Sequence, residues 1–333
     1  MTIIVGSVAF IVAMACAALM GFAVQRGATC TVAAVHEVVA ERSIRRLAAL
    51  VEAAFWVAAG LLAAETLHLM PKLPAGYPIT AWTIVGSVLL GLGAWINGAC
   101  VVGAVARLGS GEWAYAATPI GFYLGCVSVA AVFGSSASQP LEGSSPLLRA
   151  SPWLALVFAA FALWRVAAPW WRRRALAAPS PWHRAVVAHA WSPHGATTVI
   201  AIAFVALLLL VGAWAYTDVL AELAHGMAGN LAARTLLLAG LLLGAIAGGW
   251  SAGRLRSTPV SARRVVLCLS GGVLMGWGSL LLPGGNDGLV LLAMPLAWPY
   301  AWLAFATMCA TIAAAQLTAR RFAAARAAPG HRK

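Results

Sequence analysis

The chain of 333 residues is divided into nine apolar runs, each close to the roughly 20 residues that a helix needs to cross a bilayer. Because 62% of the residues are hydrophobic and only 9% are charged, there is far more apolar surface than a soluble domain can bury. The pattern predicts an all-α polytopic membrane protein with about nine transmembrane helices. The runs lie near residues 2–24, 47–69, 80–97, 113–134, 152–169, 196–217, 231–250, 264–282 and 297–319.

The basic residues predict the orientation of these helices. The net charge of +13 is concentrated in short segments between the apolar runs, where it sets topology and does not indicate a nucleic-acid partner. Eighteen Lys and Arg residues fall on one side of the predicted layout and three on the other. We therefore expect a multi-pass protein of the cell inner membrane, with its N-terminus outside, in the periplasm, and its C-terminus in the cytoplasm.

The chain divides into two related parts. A basic segment rich in Trp and Pro, 169–195, is predicted to be a cytoplasmic linker between an N-terminal membrane repeat, 1–168, and a C-terminal membrane repeat with a basic tail, 196–333. One ungapped offset of 185 residues superimposes a hairpin from each part, so that Gly91 falls on Gly276, Gly93 on Gly278, Gly103 on Gly288, Trp113 on Trp298 and Tyr115 on Tyr300. Paired broken segments of this kind indicate a transport site.

Three apolar pieces are too short to cross a bilayer: 29–41, for which Thr29 is the expected N-cap, 98–107 and 284–295. The predicted topology places 98–107 toward the cytoplasm and 284–295 toward the outside. The two hairpins are therefore expected to be inverted, re-entrant half-helices that meet near the middle of the bilayer.

The end of the first run carries an arginine and a cysteine next to the start of a short helix. Arg26 beside glycine can hold an anion together with the free N–H groups of a helix N-terminus, and Cys30 is expected in the first turn of that helix. The alternative is that Arg26 reaches to the interface and pairs with Glu37 or Glu41.

Cys100 lies where the third run breaks, in the stretch from Asn97 and Gly98 to Gly103. Small neighbours leave its sulfur accessible, although a lone cysteine in a membrane helix is usually a small hydrophobic residue. The four remaining cysteines are predicted to pack within continuous helices: Cys16, Cys126, Cys268 and Cys309. No CxxC pair indicates a disulfide framework or a metal site.

In the second hairpin, Cys100 falls on Gly285. Gly284 and Gly285 offer a turn lined by backbone, and Asn286 offers amide donors. Asp287 would repel an anion if ionised, so we expect it to cap the short helix that follows. Among the remaining polar groups, Gln25 and Asn97 either line a path or satisfy backbone groups at the ends of their runs.

The Gln25-Arg26-Gly27 string with Cys30, the Gly98 and Cys100 junction with Leu108 to Glu112 after it, and the Gly-Gly-Asn of 284–286 resemble the YeeE/YedE family of sulfur-compound transporters. The resemblance implies two pseudo-symmetric halves that form an hourglass pore. It also implies uptake of thiosulfate or a related sulfur-containing anion, passed along by cysteines that act as S–H donors. Cys30 and Cys100 match two family cysteines by position, whereas Gly285 stands where the family has a third.

The sequence therefore predicts a transporter, with no enzyme activity, cofactor or metal, because no nucleophile–base pair or metal-ligand set appears. The alternative is a non-transporting membrane subunit whose basic linker docks a soluble sulfur carrier (TusA-like) or an enzyme. The residues predicted to line the substrate path are Gln25, Arg26, Cys30, Asn97, Gly98, Cys100, Gly284, Gly285 and Asn286.

Overall fold

A computed structural model describes residues 5–27, 29–134, 139–149, 152–175, 190–226 and 231–327. Helices are the regular structure of these ranges, which contain no strand. Eight helical segments among them are long and apolar enough to cross a membrane. The prediction of an all-α polytopic membrane protein is thus confirmed.

The helices run in the following order: α1 Val8–Gly27, α2 Thr31–Glu41, α3 Arg45–Thr66, α4 Ala81–Asn97, α5 Val101–Gly109, a 3-10 turn Trp113–Ala116, α6 Ala117–Phe133, α7 Pro146–Arg149, α8 Pro152–Ala175, α9 Pro193–Val211, α10 Tyr216–Ala224, α11 Leu231–Ser251, α12 Ala262–Leu281, α13 Asn286–Gly288 with a π-helical turn Leu289–Ala293, and α14 Pro299–Ala327. The order long, short, long, long, short, long occurs twice, in α1–α6 and again in α9–α14.

The three predicted short pieces are present as α2, α5 and α13, but a fourth, α10, was missed. The predicted run 196–217 continued too far, because α9 ends at Val211 and the chain turns at Gly212, whose φ is +85°. Trp214 and Ala215 follow this turn, so an apolar stretch bridges the break and hydropathy does not reveal it.

The ninth predicted crossing, 152–169, falls in α8. This helix has 24 residues, but its apolar part is the shorter stretch Leu156–Arg165, and three arginines follow at 172–174. The ninth crossing therefore stays a prediction. The predicted linker, 169–195, overlaps the end of α8 and the start of α9, and its residues 176–189 lie outside the described ranges.

Glycines allow the long helices to pack with their backbones in contact. A Cβ at Gly21 of α1 would lie 1.8 Å from the carbonyl oxygen of Leu241 in α11. In the reverse direction, a Cβ at Gly244 of α11 would lie 1.8 Å from the carbonyl oxygen of Ala18 in α1. Small residues permit such close approach where lipid offers no hydrophobic driving force between helices. As a result α1 packs between α9 and α11, and α12 packs between α4 and α6.

These helix contacts occur in matched sets. Under the 185-residue shift α1 corresponds to α9 and α3 to α11, and the α1–α11 contact is matched by α9–α3. In the same way, the contact of α12 with α6 is matched by that of α4 with α14. The contact of α6 with α10 is matched by that of α14 with α2. Such pairing is expected for two related halves, whose symmetry and inverted orientation stay predictions.

Candidate functional site

The four short helices begin at one place in the interior. Their N-caps are Cys30 for α2, Cys100 for α5, Ala215 for α10 and Gly285 for α13, and all four have extended backbone. Cys30, Cys100 and Ala215 line one cavity together with Asn286, the first residue of α13. We call this space, a cavity of about 70 Å³, the waist cavity. N-termini of helices direct free N–H groups toward such a space.

Two thiols meet at the waist. The Cys100 S–H donates to the Cys30 sulfur over 3.6 Å, and the Cys100 backbone N–H donates to the same sulfur over 3.4 Å. The Cys100 sulfur accepts from the Gly103 N–H at 3.4 Å and so caps α5. A Cβ at Gly103 would lie 2.5 Å from the Cys30 sulfur, which explains the glycine. The predicted cap Thr29 is wrong by one residue, since Cys30 is the N-cap of α2.

Two wider vestibules flank the waist cavity. The Cys30-side vestibule, of about 550 Å³, has a balanced charge, because three arginines and three glutamates line it. It is lined by Gln25, Cys30, His36, Glu37, Glu41, Arg46, Gly98, Gly103, Arg107, Ser110, Glu112, Arg254 and Gln316, among others. Cys30 thus faces both this vestibule and the waist cavity.

The Asp218-side vestibule, of about 410 Å³, is lined by other residues of α10 and α13. Its ionisable lining residues include Asp218, Glu222 and His225, and neither Lys nor Arg is among the residues that line it. Gly284 and Gly288 also face it, whereas Asp287 faces the waist cavity. The two vestibules therefore differ in charge.

Asn97 serves structure at the α4–α5 junction. Its side chain is fully buried, donates to the Ala99 carbonyl at 2.7 Å and accepts from the Thr118 hydroxyl at 3.0 Å. Gly98 has φ +74° and lines the Cys30-side vestibule. Arg264 closes the junction from α12 by donating to the Asn97 carbonyl at 3.0 Å. Of these two predicted path residues, only Gly98 lines one of the three cavities.

Gln25 and Arg26 are both buried at the end of α1, but they point in different directions. Gln25 lines the Cys30-side vestibule and its amide donates to Ser110 over 3.4 Å. The Arg26 guanidinium donates to Ser251 at 2.9 Å and lies over the Phe22 ring, outside the lining of the three cavities. The structure thus brings Gln25, and not the arginine, to the candidate path.

Glu37, one of the partners considered for that arginine, is held elsewhere. Its carboxylate pairs with Arg45 at 3.5 Å and with Arg46 at 3.2 Å, and it accepts from the Ser43 hydroxyl at 2.6 Å. These contacts tie the end of α2 to the start of α3. They fix one wall of the Cys30-side vestibule.

The expectation that Asp287 caps the short helix after the second hairpin turn is wrong. The N-cap of α13 is Gly285, which makes no side-chain cap. The Asp287 carboxylate instead accepts from the backbone N–H of Thr217 at 3.1 Å and from its hydroxyl. Asn286 accepts from the Thr31 hydroxyl at 3.4 Å. A Cβ at Gly285 would lie 2.1 Å from the Thr217 hydroxyl oxygen, so Thr217 fills the space of a side chain there.

Sequence reasoning missed Thr31 and Thr217. Thr217 was hidden because the predicted run 196–217 includes the start of α10 as if it were the end of a crossing helix. The signal was available in the repeat, since shifting Cys30 by 185 residues gives Ala215 and points to the residues just after it. Within the described ranges no group of three or more His, Cys, Asp or Glu side chains could hold a metal ion.

Comparison with known proteins gives the family. No curated protein matches the sequence. A family model described as sulphur transport matches residues 26–314, which include the two thiols, the four short helices and most of the residues that line the two vestibules. The chain therefore belongs to the sulphur transport family.

Proposed function

We propose that this protein carries thiosulfate or a related sulfur-containing anion across the inner membrane into the cytoplasm, by way of the waist cavity. The observation that supports this most is the thiol pair, because the Cys30 and Cys100 sulfurs lie 3.6 Å apart where two half-helices begin. Cys30 lines both the Cys30-side vestibule and the waist cavity, whereas Cys100 lines only the waist cavity. An anion that reaches Cys30 from the vestibule can therefore pass to the Cys100 S–H in the waist cavity.

The hydrogen bonds at the waist make the thiols donors to an anion. The Cys30 sulfur accepts from the N–H and the S–H of Cys100, which leaves the Cys30 proton to be donated elsewhere. An anion bound there competes for the Cys100 proton as well. Weak S–H donors suit transport, because an ion must bind well enough to enter and weakly enough to leave.

The second half supplies different donors. Asn286 accepts from Thr31 through its amide oxygen, so its NH₂ group is directed away from Thr31 and is available to an anion in the waist cavity. The Thr217 side chain covers Gly285, and the backbone that remains open in this turn is that of Gly284, which faces the Asp218-side vestibule. We propose that these amides take the place of a third thiol.

The test is uptake of labelled thiosulfate by membrane vesicles that contain the full chain, with sulfate, sulfite and sulfide as competitors. We expect uptake above that of empty vesicles. Cys30→Ala and Cys100→Ala should each lower the initial rate by roughly tenfold or more, as expected when one hydrogen bond to a charged group, about 1.5–3 kcal/mol, is lost. Cys309→Ala, at a half-buried cysteine on α14, is the matched control and should transport normally.

Uptake equal to that of empty vesicles at normal expression would overturn the proposal for thiosulfate. Normal uptake by both thiol variants would overturn the role of the thiols and leave transport standing. Docking of a soluble sulfur carrier to the linker stays a separate prediction, because residues 176–189 lie outside the described ranges.

A further inference from the structure

A buried carboxylate faces the proposed path. Asp287 is 6% exposed, lies in the first turn of α13 and lines the waist cavity. Both of its oxygens accept hydrogen bonds from Thr217, one from the backbone N–H at 3.1 Å and one from the hydroxyl. These bonds join the N-terminus of α13 to that of α10. We call this pair the Asp287–Thr217 latch.

No cation compensates the carboxylate within the cavities it adjoins. Among the residues that line the waist cavity, Asp287 is the one with a carboxyl group, and neither Lys nor Arg is present. The nearest arginine on α11, Arg234, pairs with Glu222 and donates to the Ala213 carbonyl at 2.7 Å. The titratable or charged groups around Asp287 are Tyr216, Asp218, Glu222 and His225 on α10, Arg234 on α11, Tyr300 on α14, Tyr77 between α3 and α4, and Cys30 and Cys100 across the waist cavity.

An anion and an ionised Asp287 exclude each other from the waist. Both charges would lie in one small space lined mainly by apolar side chains, where repulsion is stronger than in bulk water. The ionised carboxylate also uses both oxygens to hold Thr217, which keeps the two short helices together. In this state the negative charge opposes an anion at the waist, and the latch holds α10 and α13 together.

We propose that a proton binds Asp287 each time an anion passes the waist, so that transport is proton-coupled. This inference rests on the proposed function. The proton removes the negative charge and turns one accepting oxygen into an O–H donor. The proton binds the oxygen that accepts from the Thr217 N–H, and that bond is lost because an N–H group cannot accept a hydrogen bond. The latch loosens, and the new O–H can donate to the anion. When the anion leaves toward the cytoplasm, the proton is released to the same side, and the latch closes again.

The experiment uses the full chain in proteoliposomes, with labelled thiosulfate outside, a pH-sensitive dye inside, and the membrane potential clamped at zero by valinomycin and equal potassium. We expect thiosulfate to acidify the interior. A gradient of one pH unit, acid outside, should accumulate the anion by about tenfold for each proton carried, because one unit corresponds to a tenfold ratio of proton activity.

Asp287→Asn imitates the neutral form, so whatever uptake this variant shows should occur without acidification and without an effect of the gradient. Asp218→Asn is the matched control, since Asp218 lies in the vestibule beyond the latch, and it should keep both responses. If Asp218→Asn abolishes the coupling and Asp287→Asn does not, the assignment to Asp287 is overturned.

Uptake and acidification measured with the unmodified protein also test proton coupling, without any variant. Uptake that neither acidifies the interior nor responds to the gradient would overturn proton coupling and leave thiosulfate transport standing. Absence of uptake under every gradient would overturn the proposed function, and proton coupling would be overturned with it.

Discussion

Position 285 shows how one residue constrains another across the repeat. A Cβ there would lie 2.1 Å from the Thr217 hydroxyl oxygen and 2.5 Å from the Thr217 Cβ. Gly285 and Thr217 therefore form a matched pair, in which the side chain from α10 fills the space beside the bare turn of α13. A thiol at 285 and a threonine at 217 exclude each other.

The first prediction follows from this exclusion. Gly285→Cys alone should lower the stability by about 1–3 kcal/mol, the usual cost of overpacking. Gly285→Cys combined with Thr217→Ala should recover most of that loss. The measurement is the thermal unfolding midpoint in detergent, with Thr217→Ala alone as the control for the latch. A single variant Gly285→Cys as stable as the unmodified protein would contradict the steric argument.

Of the two asparagines predicted to line the path, we expect Asn97 to be needed for stability and Asn286 to be needed for uptake. Asn97→Ala removes two buried hydrogen bonds, at 2.7 and 3.0 Å, and leaves their partners unsatisfied. It should destabilise the protein by about 1–3 kcal/mol for each group left unpaired. Asn286→Ala loses one long bond, at 3.4 Å, and should mainly lower thiosulfate uptake. Unfolding midpoints and uptake rates of the two variants check this division, and the reverse pattern would contradict it.

At the scale of helices, the sequence predicted most of the architecture. Apolar length identified the long helices, and breaks in that pattern identified α2, α5 and α13. It failed at α10, because Trp214 and Ala215 continue the apolar run across the turn that Gly212 makes. The contact between Cys30 and Cys100 could not be predicted from the sequence either. It depends on how two short helices, whose N-caps are 70 residues apart in the chain, meet in space.

Glycine packing between α1 and α11 provides the third prediction. Gly244→Ala places a methyl group 1.8 Å from the Ala18 carbonyl oxygen, which belongs to the backbone and cannot move without shifting the helix. Gly240→Ala, one turn earlier, places a methyl group 3.0 Å from the flexible Met14 sulfur. We expect a loss of about 1–3 kcal/mol for the first variant and less than about 1 kcal/mol for the second.

Thermal midpoints in the same detergent compare the two glycine variants directly. Equal midpoints would show that the close approach of α1 and α11 is not needed for stability. A lower midpoint for Gly240→Ala than for Gly244→Ala would contradict the packing described.

At the scale of the whole molecule, α8 decides the topology. Its apolar part, Leu156–Arg165, is short, but Arg165 and His194 both bind Glu52 at 2.5 Å and so tie α8 to α3 and α9. If α8 crosses, the chain has nine crossings and its termini lie on opposite sides. With eight crossings they would lie on the same side.

The fourth prediction is that the termini lie on opposite sides, as the distribution of basic residues requires. A reporter that fluoresces only in the cytoplasm should be bright when fused to the C-terminus. An N-terminal tag should be accessible to protease added to intact cells stripped of their outer membrane. A bright reporter together with a protected tag would show that α8 does not cross.

The interlocked packing of α1 has a consequence for biosynthesis. Gly21 of α1 finds its partner only in α11, which ends at Ser251, so more than two hundred residues follow Gly27 before that contact is available. At a synthesis rate of 5–20 residues per second this delay is roughly 10–45 s. During that time the glycine-containing face of α1 lies in the bilayer without α11 packed against it. The nascent chain therefore passes through a stage at which quality-control proteases and membrane insertases compete for it, and a pause in translation before α11 would lengthen that exposure.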